Sequence, residues 1–326
     1  MLQDIGLVIL IVIFLAVVFF FLKKKFAITK TNDSGQMLQD MTDLAMQGKL
    51  DKVVGVEDVV QRLLHVLARK QKNNPLLLGE PGVGKTAVIE GLAQMIVDKE
   101  VPKQFLNKKI FSLNLAEVMS GTRYRGELEA RLRQLLVDLE KNPRQNILFI
   151  DEIHMLEQAR GSEGSLDIAD ILKPALARGD LNVIGATTWR EYEKYIKLDT
   201  ALDRRFQPIL IHEPSRENAV EILRGVKSEY ENFHGVCLPQ ESIEAAVDQS
   251  IKYVKDRFLP DKAFDLIDEA CAKVSLETVP AKNAAYLGVV HAASKKVKDI
   301  CKTDAPRVEV KDITDVIKEW KGDDKT

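Results

Sequence analysis

Leu76-Leu77-Leu78-Gly79-Glu80-Pro81-Gly82-Val83-Gly84-Lys85-Thr86 is the stretch on which the fold turns. Three leucines form a short apolar strand that runs into Gly-x-x-x-x-Gly-Lys-Thr. Ala87, Val88, Leu92, Ala93, Met95 and Ile96 then recur at helical spacing. Strand, glycine loop and helix together are the context in which this pattern binds phosphate. Gly79, Gly82 and Gly84, with Glu80, Pro81 and Val83 between them, let backbone N–H groups wrap an anion, and the helix start adds positive potential. Lys85 is expected to reach the β- and γ-phosphates and the Thr86 hydroxyl to bind a cation. ATP and Mg²⁺ are the cofactors this predicts.

Working outward, Ile147-Leu148-Phe149-Ile150 is a second wholly apolar run, as a parallel strand buried on both faces requires. It ends in Asp151-Glu152. An acid at the carboxyl end of such a strand can hold Mg²⁺, which suits Asp151, and Glu152 is placed to orient the attacking water. His154 is expected to be a packing residue. Further strands are predicted at Ile110–Leu115, Val183–Ala186 and Pro208–Ile211, separated by helical patterns such as Leu128, Leu132, Leu135, Leu136 and Leu139. Alternating strand and helix implies an α/β domain with a three-layer parallel sheet over residues 37–214. After Ser215 helical patterns dominate, so residues 215–326 are expected to form a smaller helical domain.

The chain has 326 residues, 29% charged and 45% hydrophobic, with a formal net charge of −2. That is a globular balance, and it excludes a disordered or disulfide-scaffold protein. Without a basic block, nucleic acid is not an expected partner. Cys237, Cys271 and Cys301 lie far apart with no Cys-x-x-Cys, and they read as reduced, buried thiols with no zinc site.

One asymmetry stands apart from these averages. Ile5 to Leu22 carries no charged or polar side chain, and eighteen residues at about 1.5 Å each give roughly 27 Å, close to a bilayer's hydrocarbon core. Lys23, Lys24 and Lys25 follow, so residues 1–25 are expected to be a single membrane anchor with the N-terminus outside and the ATPase in the cytoplasm. A cleaved signal peptide would need cations before the run and a small-residue cleavage site after it. Residues 26–36 read as a linker spanning about 20 Å, which would hold the domain near the lipid surface.

Beyond these motifs, the chain resembles the AAA+ ATPases, specifically the first ATPase domain of the Clp unfoldases. The resemblance runs from about Met37 to about Trp320. It is carried by Gly48-Lys49-Leu50-Asp51, Asn73-Asn74-Pro75, Gly79 to Thr86, Tyr124-Arg125-Gly126-Glu127, Phe149 to His154, Leu172-Lys173-Pro174, Gly185-Ala186-Thr187-Thr188, Arg204-Arg205-Phe206 and Leu259-Pro260-Asp261-Lys262-Ala263. The resemblance implies that Thr188 senses the γ-phosphate and that Arg204 and Arg205 are arginine fingers reaching a neighbouring subunit's nucleotide. It implies a homo-oligomeric ring, a hexamer. Val53 and Val54 fall in the adenine-pocket segment, and Lys262 lies where many relatives carry a second sensor. Tyr124, flanked by Arg123 and Arg125, matches the pore-loop aromatic that grips an extended polypeptide.

Only one phosphate loop is present, and about thirty residues between Leu276 and Val308 leave no room for a long coiled-coil insertion. The expected function is therefore a membrane-anchored, ATP-driven ring that threads or dissociates protein substrates, membrane-bound ones included. The alternative is an assembly factor or structural ATPase of a membrane complex, such as a secretion system, that switches conformation without threading.

Overall fold

A strand that is apolar at every position must be covered on both sides, and the sheet is built to do so. The computed structural model describes residues 38–115, 125–143, 145–158, 171–172, 181–278, 300–302 and 305–322. The α/β part runs β1 (Leu38–Asp40), α1 (Met41–Met46), α2 (Glu57–Leu67), β2 (Asn74–Leu78), α3 (Lys85–Val97), β3 (Lys109–Leu113), α4 (Arg125–Glu140), β4 (Asn146–Ile150), α5 (Met155–Gln158) and β5 (Asn182–Thr187). It continues through α6 (Trp189–Glu191), a π-helical turn (Tyr192–Ile196), α7 (Thr200–Asp203) and β6 (Phe206–Leu210). The strand order is β1-β3-β4-β5-β2-β6, parallel throughout except for β1.

The period-two alternation of a strand sorts each apolar run between two layers. Leu76, Leu78, Leu148 and Ile150 face one core with Leu132, Leu135, Leu136 and Leu139 of α4. Leu77, Ile147 and Phe149 face the other, with Val60, Leu63 and Leu64 of α2 and Val88, Ile89 and Leu92 of α3. At about 1.5–3 kcal/mol for each large apolar side chain removed from water, these two layers hold the sheet.

The helical part contains α8 (Arg216–His234), α9 (Gln240–Tyr253), α10 (Asp261–Thr278) and α11 (Val310–Gly322) around their own core, which includes Leu223, Val247, Leu266, Ile267 and Ile317. Ser215 caps α8 by accepting from the Asn218 N–H at 3.2 Å, and Gly235 at φ 68° ends it.

Two expectations need correction. The sheet has a sixth strand, β1, pairing antiparallel with β3 from Leu38↔Leu113 to Asp40↔Phe111. Three residues are too few to show a periodicity. The cysteines are not all reduced: Cys237 and Cys301, 64 positions apart, are disulfide-bonded, and Cys271 is free and buried. They meet because the segment after α8 pairs with the one before α11. The Cys237 N–H donates to Pro306 O at 2.7 Å, and the Val308 N–H donates to Cys237 O at 2.9 Å. The apolar run Ile5 to Leu22 lies outside the described residues, and among those described no helix is long and apolar enough to cross a membrane.

Candidate nucleotide site

The loop between β2 and α3 depends on backbone that L side chains rarely adopt. Gly84, the residue before α3, has φ 94° and leaves the helix start without a side-chain cap, so the first N–H groups of α3 stay open for an anion. Gly82 has φ 81°, and a Cβ there would sit 2.7 Å from Asp261 Cβ at the start of α10. Lys85 is buried, and its ammonium donates to the carbonyls of Gly79 and Glu80 at 3.0 Å each. It is thus held inside the loop it must serve. The Thr86 hydroxyl donates to Asp151 Oδ2 at 3.0 Å, bringing together the two residues predicted to hold Mg²⁺. Hydroxyl and carboxylate oxygens are hard donors suited to that ion.

A cleft of about 1050 Å³ opens from this loop between the sheet's carboxyl edge and the helical part. Its apolar end is lined by Val53, Val54, Ile222, Val226 and Phe264, and its polar end by Gly82, Lys85, Thr86, Asp151 and Glu152. Val54 packs hard on α8, for a Cβ placed on Gly225 would lie 2.4 Å from Val54 Cγ2. Beside it the Lys52 N–H donates to Glu229 Oε1 at 3.0 Å. Burial pushes the Glu229 carboxyl above its ordinary 4.5, against the Lys52 hydrogen bond, and the nearby Asp51 adds to the rise. The cleft therefore joins an apolar slot to an anion cradle and a cation site, the shape a nucleoside triphosphate requires.

Glu152 sits just past β4 with φ 50°, a left-handed turn that a non-glycine residue rarely occupies. Burial raises its pKa, with Glu191 and Asp151 adding to the rise against the pull of His154 and Lys85. His154 is buried as predicted, yet it does more than pack. Its Nδ1 lies 3.2 Å from Glu152 Oε2, 3.2 Å from Glu191 Oε2 and 3.0 Å from Thr187 Oγ1. Thr188 caps α6 through a capping box with Glu191, and its hydroxyl donates to Glu191 Oε2 at 2.8 Å. Burial would raise the Glu191 carboxyl, but hydrogen bonds from the Thr188 backbone, the Thr188 side chain and Thr187 outweigh it and leave the pKa lowered. Sequence reasoning passed over Glu191, although Thr188-Trp189-Arg190-Glu191 is a legible capping-box pattern.

Other predicted residues lie elsewhere. Lys262 does not itself line the cleft, although its ion-pair partner Glu213 does. The lysine is buried with Nζ 3.2 Å from Glu213 Oε1 and 3.4 Å from Val254 O, and the neighbouring Asp261 lines the cleft. Arg204 and Arg205 are exposed beyond α7 and do not line the cleft. The Tyr192 hydroxyl donates to Asp203 Oδ1 at 2.7 Å and so fixes the end of the helix that presents them. Arg123 and Tyr124 lie outside the described residues, and Arg125 opens α4.

The family described as "ATPase family associated with various cellular activities (AAA)" matches residues 75–213, and the AAA lid domain matches residues 215–316. The chain is an AAA+ ATPase. The ATPase is 52% identical over 256 residues to the chaperone protein ClpB of Oceanobacillus iheyensis, covering 78% of this chain and 31% of that relative. To ClpB of Bdellovibrio bacteriovorus it is 46% identical over 286 residues, 85% of this chain and 34% of the relative. Among solved structures it is similar to a closed-state cryo-EM reconstruction of Hsp104 with ATPγS and FITC casein. There the TM-score is 0.74 at 40% identity, covering 88% of this chain and 45% of that one. It is also similar to the S. cerevisiae Hsp104:casein complex in its extended conformation, with TM-score 0.68 and 46% identity over 76% of this chain and 42% of that one. The chain thus spans about a third of the length of the curated relatives it matches.

Proposed function

We propose that this ATPase works as a homo-oligomeric ring, a hexamer, that hydrolyses ATP to thread or dissociate protein substrates. The observation that carries the reading is the separation of Arg204 and Arg205 from their own cleft. A guanidinium stabilises the charge spread over a transferring phosphoryl group, and these two are exposed where a neighbouring subunit's nucleotide can use them. Hydrolysis then depends on assembly. Likeness to Hsp104 structures solved with casein supports protein as the substrate class.

In this reading the loop from Gly79 to Thr86 and Lys85 hold the phosphates, Thr86 and Asp151 hold Mg²⁺, and Val53 and Val54 flank the base. Mg²⁺, when bound, supplies charge neutralisation on the phosphate oxygens. Glu152 orients the attacking water, Thr188 contacts the γ-phosphate region, and Tyr124 with Arg123 and Arg125 grips substrate in the pore. Residues 1–25 anchor the ring in a membrane, single-pass with the N-terminus outside, and hold it about 20 Å from the lipid. Membrane-bound proteins are then natural substrates, residues 37–214 and 215–326 being the working domains on the cytoplasmic side.

The test follows unfolding of a loosely folded, tailed fluorescent reporter by full-length protein in nanodiscs, with ATP hydrolysis recorded alongside. Wild type is expected to unfold the reporter while Tyr124→Ala hydrolyses ATP without unfolding. Equal hydrolysis by both with no unfolding by either would replace threading with a conformational switch.

A further inference from the structure

A carboxylate that orients a water needs one oxygen free for the water and something to hold the other. Glu152 lines the cleft, yet its Oε2 lies 3.2 Å from Nδ1 of the buried His154. We infer that His154 and Glu191 form a positioning relay for Glu152, in which His154 pins one carboxylate oxygen and Glu191 holds His154 in place. The inference rests on reading Glu152 as the group that orients water.

Counting protons decides the direction of each bond. The Thr187 hydroxyl donates its proton to Glu191 Oε2 at 2.9 Å, and the Thr188 hydroxyl donates to the same oxygen at 2.8 Å. A hydroxyl has one proton, so Thr187 Oγ1 faces His154 with lone pairs only. Around Nδ1 stand Thr187 Oγ1 at 3.0 Å and the carboxylate oxygens of Glu152 and Glu191, all acceptors. Nδ1 therefore carries a proton, whose hydrogen bond goes to Thr187 Oγ1, while the carboxylate oxygens of Glu152 and Glu191 at 3.2 Å are held by the positive end of that N–H.

Each member is fixed by the next. Glu191 is held by the Thr188 N–H at 3.1 Å and by the two hydroxyls, because it closes the capping box of α6. Thr187 ends β5 fully buried, and the Ile153 N–H donates to Ala186 O at 3.0 Å, tying the turn that carries Glu152 to the same strand. The His154 ring stacks on Tyr195 with centroids 6.0 Å apart. The chain Thr188–Glu191–His154–Glu152 thus runs from the predicted sensor to the predicted water-orienting group through side chains alone. Such supporting partners set the orientation of a reacting group that they do not themselves replace.

Steady-state ATP hydrolysis by full-length protein in nanodiscs tests this, with a fluorescent ADP analogue reporting nucleotide binding. Glu152→Gln checks the underlying reading and is expected to lower kcat more than about 100-fold while the analogue still binds. Hydrolysis above a tenth of wild type in that variant would remove Glu152 from its role, whatever His154 does. His154→Phe keeps a ring against Tyr195 and removes the donor. It is expected to lower kcat at least about tenfold with KM changed less than about threefold. His154→Asn puts an amide N–H near the position of Nδ1 and should recover kcat to within about threefold of wild type, which a merely structural histidine would not. Glu191→Gln should lower kcat, and combining it with His154→Phe should cost less than about threefold more than the worse single change. Loss of kcat by Glu152→Gln together with an unaffected His154→Phe would overturn the relay and leave the role of Glu152 standing. Failure of His154→Asn to recover would also overturn it. If His154→Phe does not fold, the Asn and Gln variants decide alone.

Discussion

Gly225→Ala is the sharpest probe of how the helical part holds the nucleotide cleft. Within α8 an alanine would ordinarily stabilise, by about 0.5–1 kcal/mol over glycine. Here the added Cβ would stand 2.4 Å from Val54 Cγ2 and 3.1 Å from Val54 Cβ. Ordinary contact needs at least about 3.4 Å, so α8 and the Val53–Gly55 segment must part by roughly 1 Å. Overpacking of this kind costs about 1–3 kcal/mol, which outweighs the helix gain over most of its range. Val54, Ile222 and Val226 line the cleft on either side of this contact, so the loss should fall on nucleotide binding. Net costs up to about 2.5 kcal/mol correspond to Kd raised by up to about 60-fold. The assay is equilibrium titration of a fluorescent ATP analogue with full-length protein. The double variant Gly225→Ala/Val54→Ala removes the 2.4 Å contact and leaves the 3.1 Å one. It should bind at least about threefold more tightly than Gly225→Ala alone. A Kd for Gly225→Ala within twofold of wild type, or no recovery in the double variant, would refute the reasoning.

Other parts of the molecule give their own tests. Reducing the Cys237–Cys301 disulfide frees a loop spanning 64 positions, worth roughly 4 kcal/mol of unfolded-state entropy. Dithiothreitol should lower the melting temperature of wild type and leave that of Cys237→Ser unmoved. Phe206 is 1% exposed at the start of β6, and Phe206→Ala should destabilise by about 3–5 kcal/mol, measured by urea unfolding. Glu229 has a raised pKa, so its folded state favours the protonated form: that stability is fully present below 4.5 and is lost as pH rises through the folded pKa. Glu229→Gln, which keeps an acceptor for the Lys52 N–H, should raise the melting temperature at pH 7.5, and the advantage should vanish below pH 4.5.

What the sequence made legible follows from how local each signal is. The loop from Gly79 to Thr86 and the runs at Leu76–Leu78 and Ile147–Ile150 carry their meaning in consecutive residues, so strand, loop and cation site were readable together. Thr86 and Asp151 stand 3.0 Å apart because β2 and β4 end on the same edge of a parallel sheet. The motif placed Lys262 without its partner Glu213, which lies 49 positions earlier. The lysine pairs with Glu213, and both Glu213 and the neighbouring Asp261 line the cleft. The disulfide was invisible because long-range pairing of the segments around Cys237 and Val308 creates it. His154 was read as a packing residue because it lies two positions past the acids, whereas its contacts include Glu191, which lies 37 positions later.

The pairing of β1 with β3 has a mechanical side. Leu38, where the chain joins the sheet, stands opposite Leu113, where β3 leaves it toward the segment that holds Tyr124. Two antiparallel strands pulled from the same end open like a zipper, loading one hydrogen-bonded pair at a time, whereas strands pulled from opposite ends share the load. Among the described residues, three residue pairs, the 3.1 Å Asp40–Lys109 ion pair and the packing of Leu38 on the core join β1 to its neighbour. Tension arriving along the chain before Leu38 while substrate drags on the segment after Leu113 would peel this strip first. The parallel strands behind it would keep their register, and the nucleotide loop would feel little of the force.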